Sequence, residues 1–540
     1  MVTDGLREKL NDRRGAVWAL ALSLAIAAPN IISFWRIPGP MQLARVVFVA
    51  ALVIVPIVIF KLRPRIYLIL LLPLLLLEYP DFVHMLQYGK HLTVGAVASV
   101  FYSDSKEATE FLWHTSSITL PTSLGITIAI ILLFIMAPKN PPTFKPRYRV
   151  GLIAGVLAIP QFYDITGTFP LYTAKQVYRF YEMNSEFKTQ VAQRRSLKYE
   201  VKKNNSDKDG LFVLVVGESA YRRHLGVYGY ERNTTPNLSK RSDLILFDDV
   251  SAPANLTQNS VPLLLTPATA SEPGLFYKYP SIVSLAKAAG FDTYWLSNQS
   301  KMNSSDNEVS VLAEEADFRK FRDTGLSSSL DGKLISDLEQ ALQHGGGKKF
   351  IVLHLLGSHV EYIERYPQEF NKFTDRPSLA RVDDPKVFQM INSYDNSVAY
   401  TDYVLDQVIT KVDKQEKPAC VVYISDHGEY LSSFTTKSGH RYPTAIRPEA
   451  EIPLIVYCSN KYRRLHQETI KSMIGNRDLP VVGEDLFFAM ADLLGIEFPI
   501  MDKKHSFFNA EYLPPHVRWI MNGQEKLNDV EHLKSEPDFQ

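Results

Sequence analysis

The groups best suited to chemistry in this chain follow apolar runs that read as buried strands. Residues 211–216 lead into Gly217, Glu218 and Ser219; residues 350–356 into Gly357, Ser358 and His359; and residues 419–424 into Ser425, Asp426, His427, Gly428 and Glu429. Carboxylate oxygens and imidazole nitrogens ligate a zinc-like divalent ion, and Glu218, Asp426 and His427 offer three such ligands from two strand ends. A single carboxylate after a strand is usually a helix cap or a surface residue. Several that converge on one sheet edge read far better as a metal centre. A nucleophile belongs where the ion can lower its pKa, and segment 251–265 (SAPANLTQNSVPLLL) places Thr257 ahead of an apolar run led by Pro262. Such a run can start a helix, whose first backbone N–H groups favour a phosphate. The sequence by itself favours the plainer role for Thr257 or a neighbouring serine, that of capping this helix.

These groups need a scaffold that delivers them together. Apolar runs at 211–216, 293–296, 350–356, 419–424 and 452–457 read as buried strands, and residues 282–289, 334–342 and 393–412 have helical periodicity. Gly345, Gly346 and Gly347 mark one helix end. Alternation of this kind predicts a mostly parallel sheet with helices on both faces, and such sheets bind ligands beyond the carboxyl ends of their strands. The polar stretch 202–210 (VKKNNSDKDG without its leading valine) marks a linker in front of this domain.

The first third of the chain is written for a different solvent. With 540 residues, 46% hydrophobic, 22% charged and a formal charge of +1, the whole chain looks ordinary, which argues against disorder, a coiled coil or a nucleic-acid binder. Split at residue 170, however, the first part has 15 Lys+Arg against 9 Asp+Glu, and the remainder 44 against 49. Residues 15–35 carry no formal charge and are long enough to span a bilayer; further apolar segments lie at 46–60, 66–77, 118–137 and 150–163. Basic clusters at Arg7, Lys9, Arg13 and Arg14, at Lys61, Arg63 and Arg65, and at Lys139, Lys145, Arg147 and Arg149 fall on alternate sides of a five-span arrangement. The positive-inside rule then puts everything after residue 170 outside the cytoplasm. Residues 79–117, with Trp113 and several tyrosines, read as interfacial helices on the outer face, and Val177, Phe180, Tyr181, Phe187 and Val191 as an amphipathic helix lying on the membrane. Four units follow: transmembrane 1–170, bridging helix and linker 171–210, catalytic domain 211–512, and tail 513–540.

Assembled, these motifs resemble the phosphoethanolamine transferases of Gram-negative inner membranes, in the alkaline phosphatase and sulfatase superfamily. The resemblance rests on VGES at 216–219, YGYERNTTP at 228–236, SVP at 260–262, HLLGSHVEYIERYP at 354–367, YDNS at 394–397 and SDHGE at 425–429. It implies an N-terminal α-helical transmembrane domain followed by a C-terminal α/β sulfatase-like domain with a mostly parallel sheet flanked by helices. It makes Thr257 the nucleophile, Glu218, Thr257, Asp426 and His427 the ligands of Zn²⁺, and His359 and His440 groups near the transferred phosphate; a second zinc stays open. Glu107, in a stretch where the family has an Asn followed three residues later by Glu and this chain has Asp104, and Asn396 are carried over as substrate contacts. The implied reaction moves phosphoethanolamine from phosphatidylethanolamine to lipid A, to lipopolysaccharide core sugar or to another envelope glycan. It passes through an enzyme-bound intermediate and releases diacylglycerol. The enzyme would be a monomer in the inner membrane, with its catalytic domain in the periplasm.

The chain departs from lipid A-modifying members in its cysteines. They have several, in disulfides; here there are only Cys420 and Cys458, in two apolar runs. Buried unpaired thiols are the expectation, with a cross-strand disulfide as the alternative. The shortage turns the expected acceptor toward core sugars. A phosphoglycerol transferase or a membrane-tethered phosphodiesterase would share anchor, metal and threonine, and a metal-free scaffold would share only the fold.

Overall fold

The structure is a computed structural model. It describes the chain except residues 1, 29, 32–34, 36–38, 89–91, 93–96, 98–118, 142–145, 164–170, 199, 205–208, 301–306, 324–328, 433–437, 440–444, 523–525 and 536–540. Two compact units divide it, Met1–Asn184 and Ser185–Gln540.

The first unit is helical: α1 Val2–Ile26, α2 Pro40–Ile59, α3 Pro64–Tyr88, α4 Thr119–Ile135, α5 Pro146–Phe162 and the start of α6, Leu171–Ser196. Helices α1 to α5 each overlap one of the five apolar segments, α1 ending at Ile26 inside the 15–35 segment, and the unit boundary lies within α6. Proline opens α2, where its missing N–H costs nothing. Trp18, Leu22, Phe48, Val53, Ile57 and Leu68 form a buried core, and the Trp18 indole donates to the Leu133 carbonyl at 2.7 Å, tying α1 to α4. Large apolar side chains such as Leu70, Leu76, Ile135 and Leu157 are more than half exposed, a surface suited to lipid rather than water. Among the described residues, two helices are long and apolar enough to cross a membrane, Pro40–Ile59 and Pro64–Val83, with shorter apolar helices at Arg14–Ile26 and Pro121–Ile135. Apart from 79–88, which continue α3, nearly all of the segment expected to form interfacial helices lies outside the described residues.

The second unit is built on seven strands: β1 Leu211–Gly217, β2 Leu244–Phe247, β3 Asp292–Ser300, β4 Phe318–Asp323, β5 Lys349–His354, β6 Ala419–Ser425 and β7 Leu454–Cys458. Their order across the sheet is β2-β7-β6-β1-β5-β3-β4. Strands β6, β1, β5, β3 and β4 run parallel, whereas β7 is antiparallel to both of its neighbours. Strand β1 is central and wholly buried, which is why it reads as an uninterrupted apolar run. Its side chains alternate. Phe212, Leu214 and Val216 join a core with α7 (Thr257–Leu265), α8 (Ile282–Ala288) and a later helix at 486–493, while Leu211, Val213 and Val215 join a core with α9 (Lys333–Gln343) and α10 (Pro385–Asp413). The expected layered α/β domain is therefore present. Strands β2 and β4 were not foreseen: β2 is short, and β4 (FRKFRD) is an edge strand dominated by charge. Part of the expected linker is paired, Lys203 with Glu497 and Asn204 with Ile496.

The expectation of unpaired thiols is corrected. The β6–β7 register sets Cys420 directly opposite Cys458, and the two form a disulfide.

Candidate metal centre and nucleophile

Backbone geometry at three strand ends brings the chemical groups together. At the end of β1, a Cβ on Gly217 would lie 2.7 Å from the Tyr423 ring, so the chain can pass only without one. Ser219 takes a left-handed conformation, φ 56°, rare for a residue with a side chain. It is fastened by its N–H to Asp426 Oδ1 at 3.1 Å and by the Tyr394 hydroxyl, which donates to its carbonyl at 2.7 Å. At the end of β5, Gly357 has φ 51°, and a Cβ there would sit 2.7 Å from the Glu218 carbonyl oxygen. Beyond β6, a Cβ on Gly428 would collide with the Pro448 carbonyl. These glycines allow the strand ends to crowd around Glu218 and His427.

Glu218, Asp426 and His427 are fully buried, with one ligand atom of each within 4.8 Å of the others. His427 Nε2 is 3.4 Å from Glu218 Oε1 and 3.4 Å from Asp426 Oδ2. The other ring nitrogen, Nδ1, lies 2.8 Å from the Gly428 carbonyl, an acceptor only. That contact suits an Nδ1–H donor, and in the neutral tautomer that has it the Nε2 lone pair faces the carboxylates. Among the described residues, no hydrogen bond of ordinary geometry reaches the buried Asp426 Oδ2. Burial first, and then the Glu218 charge, push the Asp426 carboxyl well above its usual range. An orphaned carboxylate oxygen, a second buried carboxylate and a lone pair aimed between them fit a divalent cation, and the N/O donor set suits zinc.

Thr257 is the first residue of α7. Its hydroxyl donates to Glu218 Oε2 at 2.9 Å and lies 3.4 Å from His427 Nε2. The sequence's plainer reading, a cap, does not describe it, because the N-cap is Leu256 and makes no side-chain cap bond. Ser260 is used differently: its hydroxyl donates to the Asp426 carbonyl at 2.6 Å, fixing α7 against the β6 loop.

The other expected residues divide. His359 is half-buried, and its charge bears on the buried Glu429 carboxyl, which burial pushes up to about 8. His440 and Glu107 lie outside the described residues. Asn396 is fully buried and its amide is spent on the neighbouring loop. It accepts from the Lys372 and Phe373 N–H groups at 2.9 and 2.8 Å and donates to Asn371 Oδ1 and the Phe373 carbonyl at 3.0 and 3.1 Å. A substrate contact through that amide would require the network to open.

Several motif residues brace the site rather than line it. Tyr230 and Arg232 donate to Asp395 Oδ2 at 3.0 and 2.9 Å, and His224 lies 2.8 Å from Asp395 Oδ1. Tyr228 bonds the backbone of Leu454. Residues that sequence reasoning passed over include Gln299, 3.1 Å from Glu218 Oε2, and Asp331, which accepts from the N–H groups of Leu356 and Gly357. Amides and a carboxylate away from the expected strand ends gave no motif to follow.

A sulfatase family profile matches residues 211–496, more than half of the chain, and the chain belongs to the sulfatase family. Among curated proteins it is 29% identical over 328 residues to phosphoethanolamine transferase EptC of Escherichia coli K12, covering 58% of this chain and 56% of that protein. It is 25% identical over 479 residues to phosphoethanolamine transferase CptA of Salmonella typhimurium, covering 81% of each. The chain thus spans little more than half the length of the EptC proteins it matches. Among solved structures, the periplasmic domain of E. coli EptC in complex with Zn superposes with a TM-score of 0.58 at 26% identity, over 63% of this chain and 98% of that one. The integral membrane lipooligosaccharide phosphoethanolamine transferase A of Neisseria meningitidis shares the fold, with a TM-score of 0.57 at 18% identity over 92% of this chain and 99% of that one.

Proposed function

We propose that the protein transfers phosphoethanolamine from phosphatidylethanolamine to an envelope glycolipid, with Thr257 as nucleophile and Glu218, Thr257, Asp426 and His427 as the ligands of a zinc ion. The observation that carries this reading is the Thr257 hydroxyl, seated on the Glu218 carboxylate and beside His427 Nε2. When bound, zinc would supply positive charge to lower the hydroxyl pKa and to offset the phosphate oxygens. Thr257 gives its hydroxyl proton to Glu218 Oε2, the oxygen it already donates to, and attacks the phosphorus of the donor diester; the bond to diacylglycerol breaks, and phosphoethanolamine is left on the threonine oxygen. The leaving oxygen takes its proton from His359 or His440, imidazoles suited to acid–base work near neutral pH. An acceptor hydroxyl or phosphate oxygen then attacks the same phosphorus and restores Thr257. The start of α7, with the positive end of its dipole at Thr257, favours the anionic group throughout.

The setting supports this reading. An apolar helical unit tethers the enzyme to its lipid donor, and the Cys420–Cys458 disulfide suits an oxidising compartment outside the cytoplasm. A Kdo(2)-lipid A phosphoethanolamine 7''-transferase of E. coli K12, 32% identical over 264 residues that make up 47% of this chain and 45% of that protein, supports a lipopolysaccharide acceptor. The few cysteines still favour core sugar over lipid A. Incubating the full-length protein with labelled phosphatidylethanolamine and, separately, phosphatidylglycerol tests the donor: diacylglycerol from the first is expected, and diacylglycerol from the second alone would replace this reading with a phosphoglycerol transferase.

A further inference from the structure

The carboxyl end of β3 delivers two adjacent amides into the ground beneath the metal centre, and each fastens a different strand end. The Asn298 side chain donates to the Ser329 carbonyl and to Asp331 Oδ1, both at 2.7 Å. Asp331 in turn accepts from the N–H groups of Leu356 and Gly357 at 2.9 and 2.8 Å, which holds the turn that packs against the Glu218 backbone. The Gln299 amide nitrogen donates to Glu218 Oε2 at 3.1 Å and to the Leu355 carbonyl at 2.9 Å. Gln299 is itself held: it is buried, and its backbone N–H donates to Ser297 Oγ at 3.0 Å.

The terminal torsion of a glutamate is broad and roughly two-fold, so Glu218 has no intrinsic reason to present one oxygen in one direction. Two donors remove that freedom. Ser219 Oγ donates to Oε1 at 2.6 Å, and Gln299 donates to Oε2, the oxygen that also accepts the Thr257 hydroxyl. A neutral amide is the suitable group for this position. It donates to the carboxylate without adding a third anion to Glu218 and Asp426, and its second N–H is anchored on the Leu355 carbonyl just past the end of β5.

We propose that Gln299 is a positioning residue for the metal centre, orienting Glu218 from the β3 end so that its carboxylate serves both the cation and Thr257. The inference rests on the zinc reading of Glu218, Asp426 and His427, and the test separates the two. Full-length protein in detergent, stripped of metal, is titrated with zinc against a chromophoric chelator, for wild type, Gln299→Met, which keeps the volume, and Gln299→Ala. The metal-free melting temperature of each is recorded alongside. The expected result is a zinc dissociation constant raised about 10–100-fold in both variants with little change in metal-free melting. A constant equal to that of wild type in both variants would overturn the proposal. So would loss of the metal-free melting transition in both, which would make Gln299 a folding residue. Failure of wild type to bind zinc would overturn the metal reading itself, and the role of Gln299 with it.

Discussion

At the residue scale, the proposed chemistry rests on Thr257 and the three groups around it. Thr257→Ala leaves Glu218, Asp426 and His427 in place, so turnover is expected to fall by about 10³-fold or more while zinc binding persists; paired activity and metal measurements check this. His359→Ala is expected to cost about 10²–10⁴-fold if it protonates the leaving group, and less if His440 does. The grouping of Glu218, Asp426 and His427 was legible in the sequence because they follow buried strands that end at one sheet edge; any one of them alone reads as a cap or a surface residue. Gln299 was not, because an amide at the end of a strand is unremarkable until its distance to Glu218 is known. Thr257 was legible only by resemblance, since on its own it reads as a cap.

At the element scale, the site depends on α10 being clamped to the 224–235 segment. The fully buried Asp395 carboxylate answers Arg232, Tyr230 and His224, and Tyr394 next to it holds the strained Ser219. Asp395→Ala removes the buried acceptor shared by Arg232, Tyr230 and His224, leaving Arg232 with Asp375 and Asn392, and is expected to destabilise the domain by about 1–3 kcal/mol, measurable by denaturant unfolding. Lower on the same helix, Asp402 accepts from the N–H groups of Asn237 and Leu238, and burial pushes its carboxyl from 3.8 up to about 6. The native state then keeps a proton that the unfolded chain releases, so this group's contribution to stability is lost as pH rises from about 4 to about 6. Asp402→Asn cannot titrate. Its stability relative to wild type is expected to rise across that window by an amount on the order of 1–3 kcal/mol, read from melting or unfolding at each pH. The strands that flank the site were legible because they are buried on both faces and therefore uninterrupted in apolar character. Edge strands β2 and β4 were not, since one is short and the other is rich in charge, with Lys320 and Arg322 paired to the buried Asp337 of α9. The direction of β7 could not be read either, because an apolar run has the same pattern either way.

At the scale of the whole molecule, the bland overall charge conceals a basic, apolar helical unit and a mildly acidic α/β unit. The cysteines belong to this scale too. Their pairing is set by register across β6 and β7, which no spacing in the sequence records. Protein isolated from cells is expected to show no titratable thiol after denaturation without reductant; two free thiols would place the domain in a reducing compartment and contradict the orientation drawn from the basic loops.

The measurement that reaches furthest is mass spectrometry of the Thr257 peptide after full-length, zinc-loaded protein has been mixed with phosphatidylethanolamine and no acceptor. The expected result is a phosphoethanolamine increment on Thr257, matched by released diacylglycerol and absent from Thr257→Ala. Diacylglycerol release by an unmodified Thr257, or undiminished release by Thr257→Ala, would contradict the account.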